Sequence, residues 1–270
     1  MTRTTSTPPE SINPSEHQLP SSLLARKIRI TVVGCGGTGS AIACGLPYLH
    51  QSMVALGHPY GLDVTLVDGD LVSQTNCVRQ PFSISDVGLH KVIALANRIN
   101  LFWGFNWKAV PRFLDERWQE QTDILIGCVD TRAARNKMTR SPAYSHCSYV
   151  LDVGNSYDSG QFVLGQPKNP RNNKCRPRLP TVAELYPEII DPALDGKDTL
   201  PSCSDIQALT NQAAFVNQTL AYQALAMLAT LFREGRISHH GCFLNLSQGR
   251  MVPLPIRRLA AKKRSRSLAK

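Results

Sequence analysis

The chain has 270 residues, of which 42% are hydrophobic, enough for one large α/β domain or two small ones with a sizeable core. The net charge is +10, but seven basic and no acidic residues lie in positions 257–270, which leaves about +3 for the rest. This distribution indicates a basic C-terminal tail, which we assign to residues 251–270, and argues against a strongly basic folded face. Such a tail is either a solvated terminus or a segment that binds an acidic partner or nucleic acid.

No segment of the sequence is typical of secretion or of a membrane span. The N-terminus lacks the apolar core of a signal peptide, and polar residues interrupt the longest apolar stretch, residues 215–232. The eight cysteines include no Cys-x-x-Cys pair, and several lie in apolar runs, where a free thiol behaves as a small hydrophobe. We therefore expect a cytoplasmic protein with reduced thiols and no membrane partner.

Strand and helix patterns alternate after a Ser-, Thr- and Pro-rich segment, residues 1–22, that we expect to be disordered. The predicted strands cover residues 28–33, 64–67, 107–110, 123–129, 148–153, 161–165 and 241–246. The predicted helices cover residues 37–49, 90–100, 132–147 and 206–232. Pro142 is a potential break in the third helix, and residues 51–62 have the composition of a surface insertion.

This alternation predicts one α/β domain, residues 23–250, built on a mostly parallel sheet that is covered on both faces. The fold class is doubly wound and Rossmann-like. Residues 166–205 interrupt the alternation, because they are rich in Pro, Asn, Lys and Asp and show no clear period. A loop of this length in a compact domain is usually functional, and we interpret it as a crossover loop.

A glycine-rich turn after the first predicted strand is the first sign of a ligand. Gly34 allows the chain to leave the strand sharply, Gly36 allows backbone N–H groups to approach a phosphate, and Gly39 allows the next helix to pack on the strand. With Gly37 they form a candidate phosphate cradle. Asp68 follows the second strand, where a carboxylate accepts hydrogen bonds from ribose hydroxyls. The pattern predicts nucleotide binding, although the glycines also fit a dinucleotide fingerprint.

A series of spaced polar motifs is more specific than the glycines. The series consists of Asp68-Gly69-Asp70, Asn76, Arg79-Gln80, Asp86-x-Gly88-x-x-Lys91 and Cys128-x-Asp130-x-x-x-x-Arg135. In this order and spacing it resembles the ThiF/MoeB/HesA family, the adenylating relatives of ubiquitin-activating enzymes, over residues 27–165. The chain is also similar to the ThiF-type proteins of the bacterial PRTRC gene cassette.

The resemblance implies a reaction in which a carboxylate attacks the α-phosphate of ATP. The carboxylate is usually the C-terminal glycine of a ubiquitin-like or sulfur-carrier protein, and the products are an acyl adenylate and pyrophosphate. The four glycines would cradle the phosphates, and Asp130 would bind Mg²⁺, a hard cation that prefers carboxylate. Arg79 and Lys91 would neutralise charge as pyrophosphate leaves.

The resemblance also implies that Asn76 and Gln80 contact the phosphates and that Asp68 contacts the ribose. Each of the charged candidates has a plainer alternative. Asp130 alone is typical of an N-cap of the helix that follows, and Lys91 alone is typical of a solvated first-turn residue. Arg79 and Gln80 lie in a loop, where the plainer alternative is a surface ion pair. The joint spacing of the motifs favours the catalytic interpretation.

A cysteine in the crossover loop is the remaining candidate. In several members of the family a cysteine in this region carries the activated protein as a thioester or acyl persulfide. Cys203 precedes a predicted helix, whose N-terminus favours the thiolate, and Cys175 is a second candidate in the same loop. The alternative for both is an inert loop thiol.

The chain departs from the family pattern at two points. Many relatives bind structural zinc with two Cys-x-x-Cys pairs, so we expect no zinc here. Relatives also supply an arginine from an N-terminal helix to the site of the partner subunit, whereas no arginine occurs between Thr4 and Ala25. This puts the usual homodimeric site in question, and Arg26 or Arg135 is a candidate to replace that arginine.

Two other functions fit parts of the sequence. An NAD- or FAD-dependent oxidoreductase would use the glycines and Asp68, but it leaves Arg79, Lys91 and Asp130 without a shared purpose. A non-catalytic nucleotide-binding scaffold would keep the fold and accommodate the missing arginine. In that case the basic tail would suit an acidic partner or nucleic acid.

Overall fold

A computed structural model describes residues 15–175, 177–195 and 213–256. The strands are β1 (His17–Gln18), β2 (Ile28–Val33), β3 (Leu62–Val67), β4 (Lys108–Val110), β5 (Ile124–Gly127), β6 (Tyr149–Asn155), β7 (Ser159–Gly165), β8 (Arg236–Ile237), β9 (His239–Asn245) and β10 (Arg250–Pro255). The α-helices are α1 (Gly37–Ala55), α2 (Lys91–Trp103), α3 (Arg132–Arg140), α4 (Pro142–His146), α5 (Val182–Leu185) and α6 (Val216–Glu234).

Eight of these strands form one sheet in the order β10-β9-β7-β6-β5-β2-β3-β4. The strands β4, β3, β2, β5 and β6 are parallel neighbours, whereas β7, β9 and β10 continue the sheet beyond β6 in antiparallel fashion. β1 and β8 pair in a separate two-stranded ribbon. The predicted mostly parallel α/β fold is confirmed.

Helices cover both faces of the parallel part of the sheet. On β5, Ile124 and Ile126 belong to the apolar core that contains α1, α2 and α6, whereas Leu125 belongs to a second cluster with α3 and α4. Successive side chains of a strand point to opposite faces, so a strand buried on both sides is a continuous apolar run. This arrangement is doubly wound.

Two helix boundaries differ from the predictions for local reasons. Leu46, Leu49 and Met53 are all buried, so the helical period of α1 continues into residues 51–55, which we had predicted as part of an insertion. The helix predicted over 132–147 is divided at Pro142. Ser141 separates the two helices, and its Oγ accepts a hydrogen bond from Tyr144 N at 3.3 Å as the cap of α4.

Both ends of the domain extend beyond the predicted limits. Within the segment that we expected to be disordered, His17 and Leu19 are buried, and Ser15 N donates to Ile256 O at 3.1 Å. At the other end, the part of the predicted tail that precedes Ile256 belongs to β10. The predicted helix over 206–232 corresponds to α6, and residues 206–212 lie outside the described residues.

No helix in the described part of the chain combines the length and the apolar character that a bilayer span requires.

Candidate active site

The carboxyl ends of the parallel strands open into a cavity of about 810 Å³. Residues that follow β2, β3 and β5 meet at this edge although they are far apart in the sequence. The predicted site residues that line the cavity are Gly34, Gly36, Gly37, Asp68, Asn76, Arg79, Gln80, Lys91 and Asp130. Gly39 does not line the cavity, and Cys203 lies outside the described residues. The individual roles of these residues stay predictions.

The glycine-rich turn joins β2 to α1 where larger residues would collide with the backbone. Gly34 has φ +84°, its N–H donates to Val67 O at 2.9 Å, and a Cβ there would lie 2.7 Å from Cys128 O. A Cβ on Gly39 would overlap the carbonyl oxygen of Gly34. Gly36, in contrast, has no atom within 4 Å of its would-be Cβ, because it faces the open cavity.

The N-terminus of α1 carries no side-chain cap. Gly36 is the N-cap residue, and it has no side chain to accept hydrogen bonds from the first-turn N–H groups. Gly36, Gly37 and Thr38 line the cavity. Unsatisfied N–H groups and the positive end of the helix dipole therefore border this space, which is the arrangement that binds phosphate.

Asp68 is fixed at the end of β3 by two backbone N–H groups. Its Oδ2 accepts a hydrogen bond from Cys35 N at 2.5 Å and its Oδ1 accepts one from Asp70 N at 2.9 Å. Burial raises the pKa of Asp68, and these backbone hydrogen bonds oppose the rise. The carboxylate thus ties the glycine-rich turn to β3 while it borders the cavity.

Lys91 is buried rather than solvated, so the plainer alternative does not fit this residue. It is the first residue of α2, its side chain is 10% exposed, and its Nζ donates to Asp70 Oδ2 at 3.0 Å. Its backbone N–H also donates to Asp70 O at 3.0 Å. Asp70 therefore holds the ammonium group at the wall of the cavity.

Arg79, Asn76 and Gln80 lie at the end of a 3₁₀ turn over Gln74–Val78. Asn76 Oδ1 accepts a hydrogen bond from Ser73 N at 3.0 Å, so this oxygen caps the turn. Gln80 Oε1 is buried and has no hydrogen-bond partner among the described residues. A buried polar atom without a partner beside a cavity fits a site where a ligand supplies the missing hydrogen bond.

Asp130 is exposed, follows the end of β5 and lines the cavity. The N-cap of α3 is Thr131, whose Oγ1 accepts a hydrogen bond from Ala134 N at 3.1 Å. The plainer alternative, in which Asp130 caps the helix, is therefore wrong.

No group of three potential metal ligands occurs among the described residues. Mg²⁺ is usually held by one or two carboxylates together with substrate phosphates and water, so one exposed carboxylate beside a phosphate cradle fits it.

A second group of polar residues in the cavity was not predicted. The hydroxyl of Thr38 lies 2.8 Å from Asn217 Oδ1 and 3.0 Å from Asn155 Oδ1, and Gln161 lines the same side. Asn155 ends β6, and it could have been found as the polar residue after a predicted strand. Asn217 comes from α6, and only the tertiary fold brings it there.

The two arginines considered as replacements for the missing one differ in position. Arg135 lines the cavity, but its Nε donates to Asp152 Oδ2 at 2.8 Å and both side chains are buried. Arg26 bonds both carboxylate oxygens of Asp123 at 2.5 and 2.6 Å. Asp123 directly precedes β5, so Arg26 lies at the opposite edge of the sheet and does not line the cavity.

The described cysteines near the site are not suited to nucleophilic attack. Cys128 lines the cavity, but burial raises the pKa of its thiol. Cys175 lies 3.3 Å from Gln166 Nε2, and Gln166 follows the end of β7 at the edge of the sheet that is opposite the cavity. The candidate role of Cys175 therefore receives no support from its position.

The fold and the glycine-rich cavity define a Rossmann-like α/β protein with a candidate phosphate-binding turn. A ThiF family model matches residues 16–268. The chain therefore belongs to the ThiF family, which confirms the resemblance read from the motifs.

Solved structures share the fold at low sequence identity. PaaA is 17% identical, with a TM-score of 0.56 and 87% of this chain covered. Escherichia coli MccB, solved with MccA, is 16% identical, with a TM-score of 0.56 and 88% coverage. MccB with ATP is 16% identical, with a TM-score of 0.53 and 88% coverage. In each case the chain spans 66% of the length of the solved protein. No curated protein sequence matches this chain.

Proposed function

We propose that this protein adenylates a carboxylate with ATP. A carboxylate oxygen of the acceptor attacks the α-phosphorus, the bond from that phosphorus to the oxygen shared with the β-phosphate breaks, and pyrophosphate leaves with the electron pair. The acyl adenylate remains in the site. Membership of the ThiF family supports this reaction.

One observation carries the proposal: a single cavity contains the uncapped N-terminus of α1, the cationic residues Arg79 and Lys91, and the exposed carboxylate of Asp130. The reaction needs a phosphate cradle, cations near the leaving pyrophosphate and a ligand for Mg²⁺. An oxidoreductase needs the cradle and a ribose acceptor alone, so it leaves the charged residues of this cavity without a purpose.

Each group in the cavity has a distinct part in this reaction. The N–H groups at the start of α1 bind phosphate oxygens, and Arg79 and Lys91 stabilise the charge that develops on pyrophosphate. Asp68, held by Cys35 N and Asp70 N, accepts a hydrogen bond from the ribose. Asp130 holds Mg²⁺, which offsets the charge of the phosphates.

The acceptor in this proposal is the C-terminal carboxylate of a peptide or small protein, such as a ubiquitin-like or sulfur-carrier protein. The solved neighbour MccB has been crystallised with MccA and with ATP, which supports an acceptor that enters beside the nucleotide. Transfer of the acyl group to Cys203, assembly as a homodimer and membership of the PRTRC subgroup stay predictions.

The proposal is tested by exchange of labelled pyrophosphate into ATP in the presence of candidate acceptors. We expect exchange with the full chain and at least a hundredfold loss in Asp130→Ala. Glu116→Gln is the matched control, because Glu116 is exposed and does not line the cavity.

Tight binding of NAD with no affinity for ATP would overturn the proposal. Binding of ATP without exchange for any acceptor would instead favour a non-catalytic scaffold.

A further inference from the structure

The cavity extends well past the part that the proposed function assigns to the nucleotide. Its walls include residues in or next to β3, β2, β5, β6, β7 and β9, which are consecutive neighbours in the sheet. Because neighbouring strands lie about 4.8 Å apart, the cavity runs about 24 Å across the sheet. Asp68, the glycine-rich turn and Asp130 belong to the first three strands of this order. The part bordered by β6, β7 and β9, which we call the far end, is left for another ligand.

The far end of the cavity carries no charged side chain in the described part of the chain. The charged residues that line the cavity all lie between positions 68 and 135, whereas β6, β7 and β9 contribute apolar, glycine, hydroxyl and amide residues. Arg135, which approaches Gly154, is paired with the buried Asp152 at 2.8 Å. A charged group of a ligand would lose hydration here without gaining a partner, so the far end favours an uncharged ligand.

A row of three residues forms the floor of the far end. Gly154 on β6 pairs with Gln161 on β7, which pairs in turn with Phe243 on β9. Cross-strand partners direct their side chains to the same face of a sheet. Here that face is the one covered by α3, because a Cβ on Gly154 would lie 3.0 Å from Gln161 Nε2 and 3.1 Å from Arg135 NH2. Bare backbone, an amide and an aromatic ring therefore follow one another across the sheet.

The aromatic end of this row has a fixed apolar wall. Phe243 lines the cavity and is 38% exposed, and its ring meets that of Tyr186 edge to face at 6.2 Å between centroids. Ile189 lines the cavity as well, and the next residue is anchored to α3, since Asn136 Nδ2 donates to Ile190 O at 2.7 Å. A half-exposed aromatic ring beside an aliphatic side chain in a cavity suits an apolar group of a ligand.

The chemistry of the proposed reaction indicates which ligand approaches from the far end. In transfer at phosphorus the attacking and leaving oxygens lie roughly in line. Arg79 and Lys91, which stabilise the leaving pyrophosphate in the proposed function, follow β3 on one side of the glycine-rich turn. The far end lies on the other side of that turn, beyond β5. The acceptor carboxylate therefore reaches the α-phosphorus from the far end.

We propose that the far end binds the C-terminal segment of the acceptor as an extended, uncharged peptide with an apolar side chain packed on Phe243. The proposal rests on the proposed function and defines its acceptor further. Phe243 lies four strand spacings from β2, or about 19 Å, and an extended chain rises about 3.3 Å per residue. The apolar residue is therefore about the sixth from the terminal carboxylate. Between the two, the amide of Gln161 offers a donor and an acceptor to the peptide backbone.

The test uses fluorescent heptapeptides with a free carboxyl end, composed of glycine and serine except at the sixth position from that end, which is leucine, serine or lysine. Affinity for the full-length chain is measured by fluorescence anisotropy with Mg²⁺ and a non-hydrolysable ATP analogue present. The leucine peptide is expected to bind about tenfold more tightly than the serine peptide, because its side chain is buried on Phe243. Lysine at the third position of the leucine peptide is expected to weaken binding at least about tenfold.

Variants of Phe243 test whether this residue sets the preference. Phe243→Ala is expected to reduce the preference for leucine over serine to less than about twofold, and Phe243→Glu is expected to favour the lysine peptide over the leucine peptide. Phe102→Ala is the matched control, since Phe102 is an exposed phenylalanine of α2 outside the cavity. Phe243→Glu keeps the test decisive if the alanine variant is unstable, because a merely structural role would not create a preference for lysine.

Equal affinity of the unmodified chain for the leucine and serine peptides would overturn the inference, as would no measurable affinity for any of them or an unchanged preference in both Phe243 variants. Exchange of pyrophosphate into ATP with the same peptides separates this inference from the proposed function. Equal exchange with the leucine and serine peptides would sustain adenylation and count against the peptide site. A preference for leucine in binding, without exchange for any peptide, would support the peptide site and count against adenylation.

Discussion

Two glycines at the start of α1 have different tasks: one is needed for the fold of the site and the other for ligand binding. Gly36 and Gly39 are three positions apart in one turn, and the sequence predicts approach of a phosphate to the first and close packing of the helix at the second. The structure distinguishes them, because Gly39 is pressed against the carbonyl of Gly34, whereas Gly36 faces open space.

The paired variants Gly39→Ala and Gly36→Ala test this difference. Gly39→Ala forces a Cβ into backbone and is expected to lower the free energy of unfolding by at least about 2 kcal/mol. Gly36→Ala is expected to fold normally and to weaken ATP binding, because the added methyl lies in the cavity beside the uncapped N–H groups. Urea unfolding and calorimetry measure the two effects, and the opposite ranking of the variants would contradict this account.

The sequence predicts the residues of the site better than their partners. Glycines after a strand and acids after strand ends are local signals, so Gly34, Asp68 and Asp130 could be identified without a structure. The pairing of Lys91 with Asp70 and the hydrogen bonds that Asp195 accepts from the first backbone N–H groups of α3 depend on loop conformations that have no period in the sequence.

At the scale of elements, strands and helices are predicted most reliably where the pattern of apolar residues determines which side chains are buried. The parallel strands β2, β3, β5 and β6 are mostly apolar and buried, and every parallel strand that was predicted is present. The edge strand β10 was missed because Pro253 and Pro255 within it remove backbone donors, which favours a non-strand prediction. Its partner β9 supplies the pairing that the local sequence does not indicate.

The ribbon of β1 and β8 contains a buried histidine with both ring nitrogens engaged. His17 Nδ1 lies 3.0 Å from Pro177 O, which can only accept, so Nδ1 carries the proton. Nε2 lies 2.7 Å from the Tyr149 hydroxyl and therefore accepts from it. Burial lowers the pKa of His17 below its ordinary value of 6.5, because the neutral ring is preferred in the folded chain.

This histidine makes the stability of the chain depend on pH in a defined direction. A histidine with a lowered pKa stabilises the fold fully above its unfolded pKa, and the stabilisation is lost as the pH falls below about 6.5. His17→Gln is expected to cost about 1–2 kcal/mol at pH 7.5 through altered hydrogen bonds and to reduce the loss of stability between pH 7 and pH 5. Urea unfolding of both proteins across that range measures the difference.

Two other histidines, one half-buried and one buried, contribute to the same pH dependence, so the comparison with the unmodified chain isolates the effect of His17. Burial also lowers the pKa values of His239 and His240. His146→Gln is a suitable control, because His146 is exposed and lies outside the ribbon. If stability depended on pH identically in His17→Gln and in the unmodified chain, the proposed contribution of His17 would be wrong.

At the scale of the whole molecule, the two edges of the parallel sheet are used differently. The carboxyl edge carries the cavity, whereas the amino edge is closed by ion pairs of Asp123 with Arg26 and Arg29. Burial alone would raise the pKa of Asp123, but the hydrogen bonds from these two arginines lower it to about 2.

The net charge belongs to the same scale, and the last residue that the structure describes, Ile256, is packed against the fold. Ile256 is 2% exposed, its N–H donates to Ser238 O at 3.1 Å, and its carbonyl oxygen accepts from both Ser15 N and Ser15 Oγ at 3.1 Å. Removal of residues 257–270 deletes seven basic residues and no acidic one, which lowers the net charge from +10 to +3.

A variant that ends at Ile256 is expected to keep its midpoint of thermal unfolding within about 2 °C, because it retains every buried contact that the structure describes. Exchange of pyrophosphate into ATP is expected to be unchanged, whereas retention on a polyanionic resin is expected to end at a lower salt concentration, since fewer cations contact the resin. Ile256→Ala in the full chain is the control for packing and is expected to lower stability by about 2–4 kcal/mol. Loss of exchange in the truncated variant would place the basic tail in the active site rather than on a separate surface.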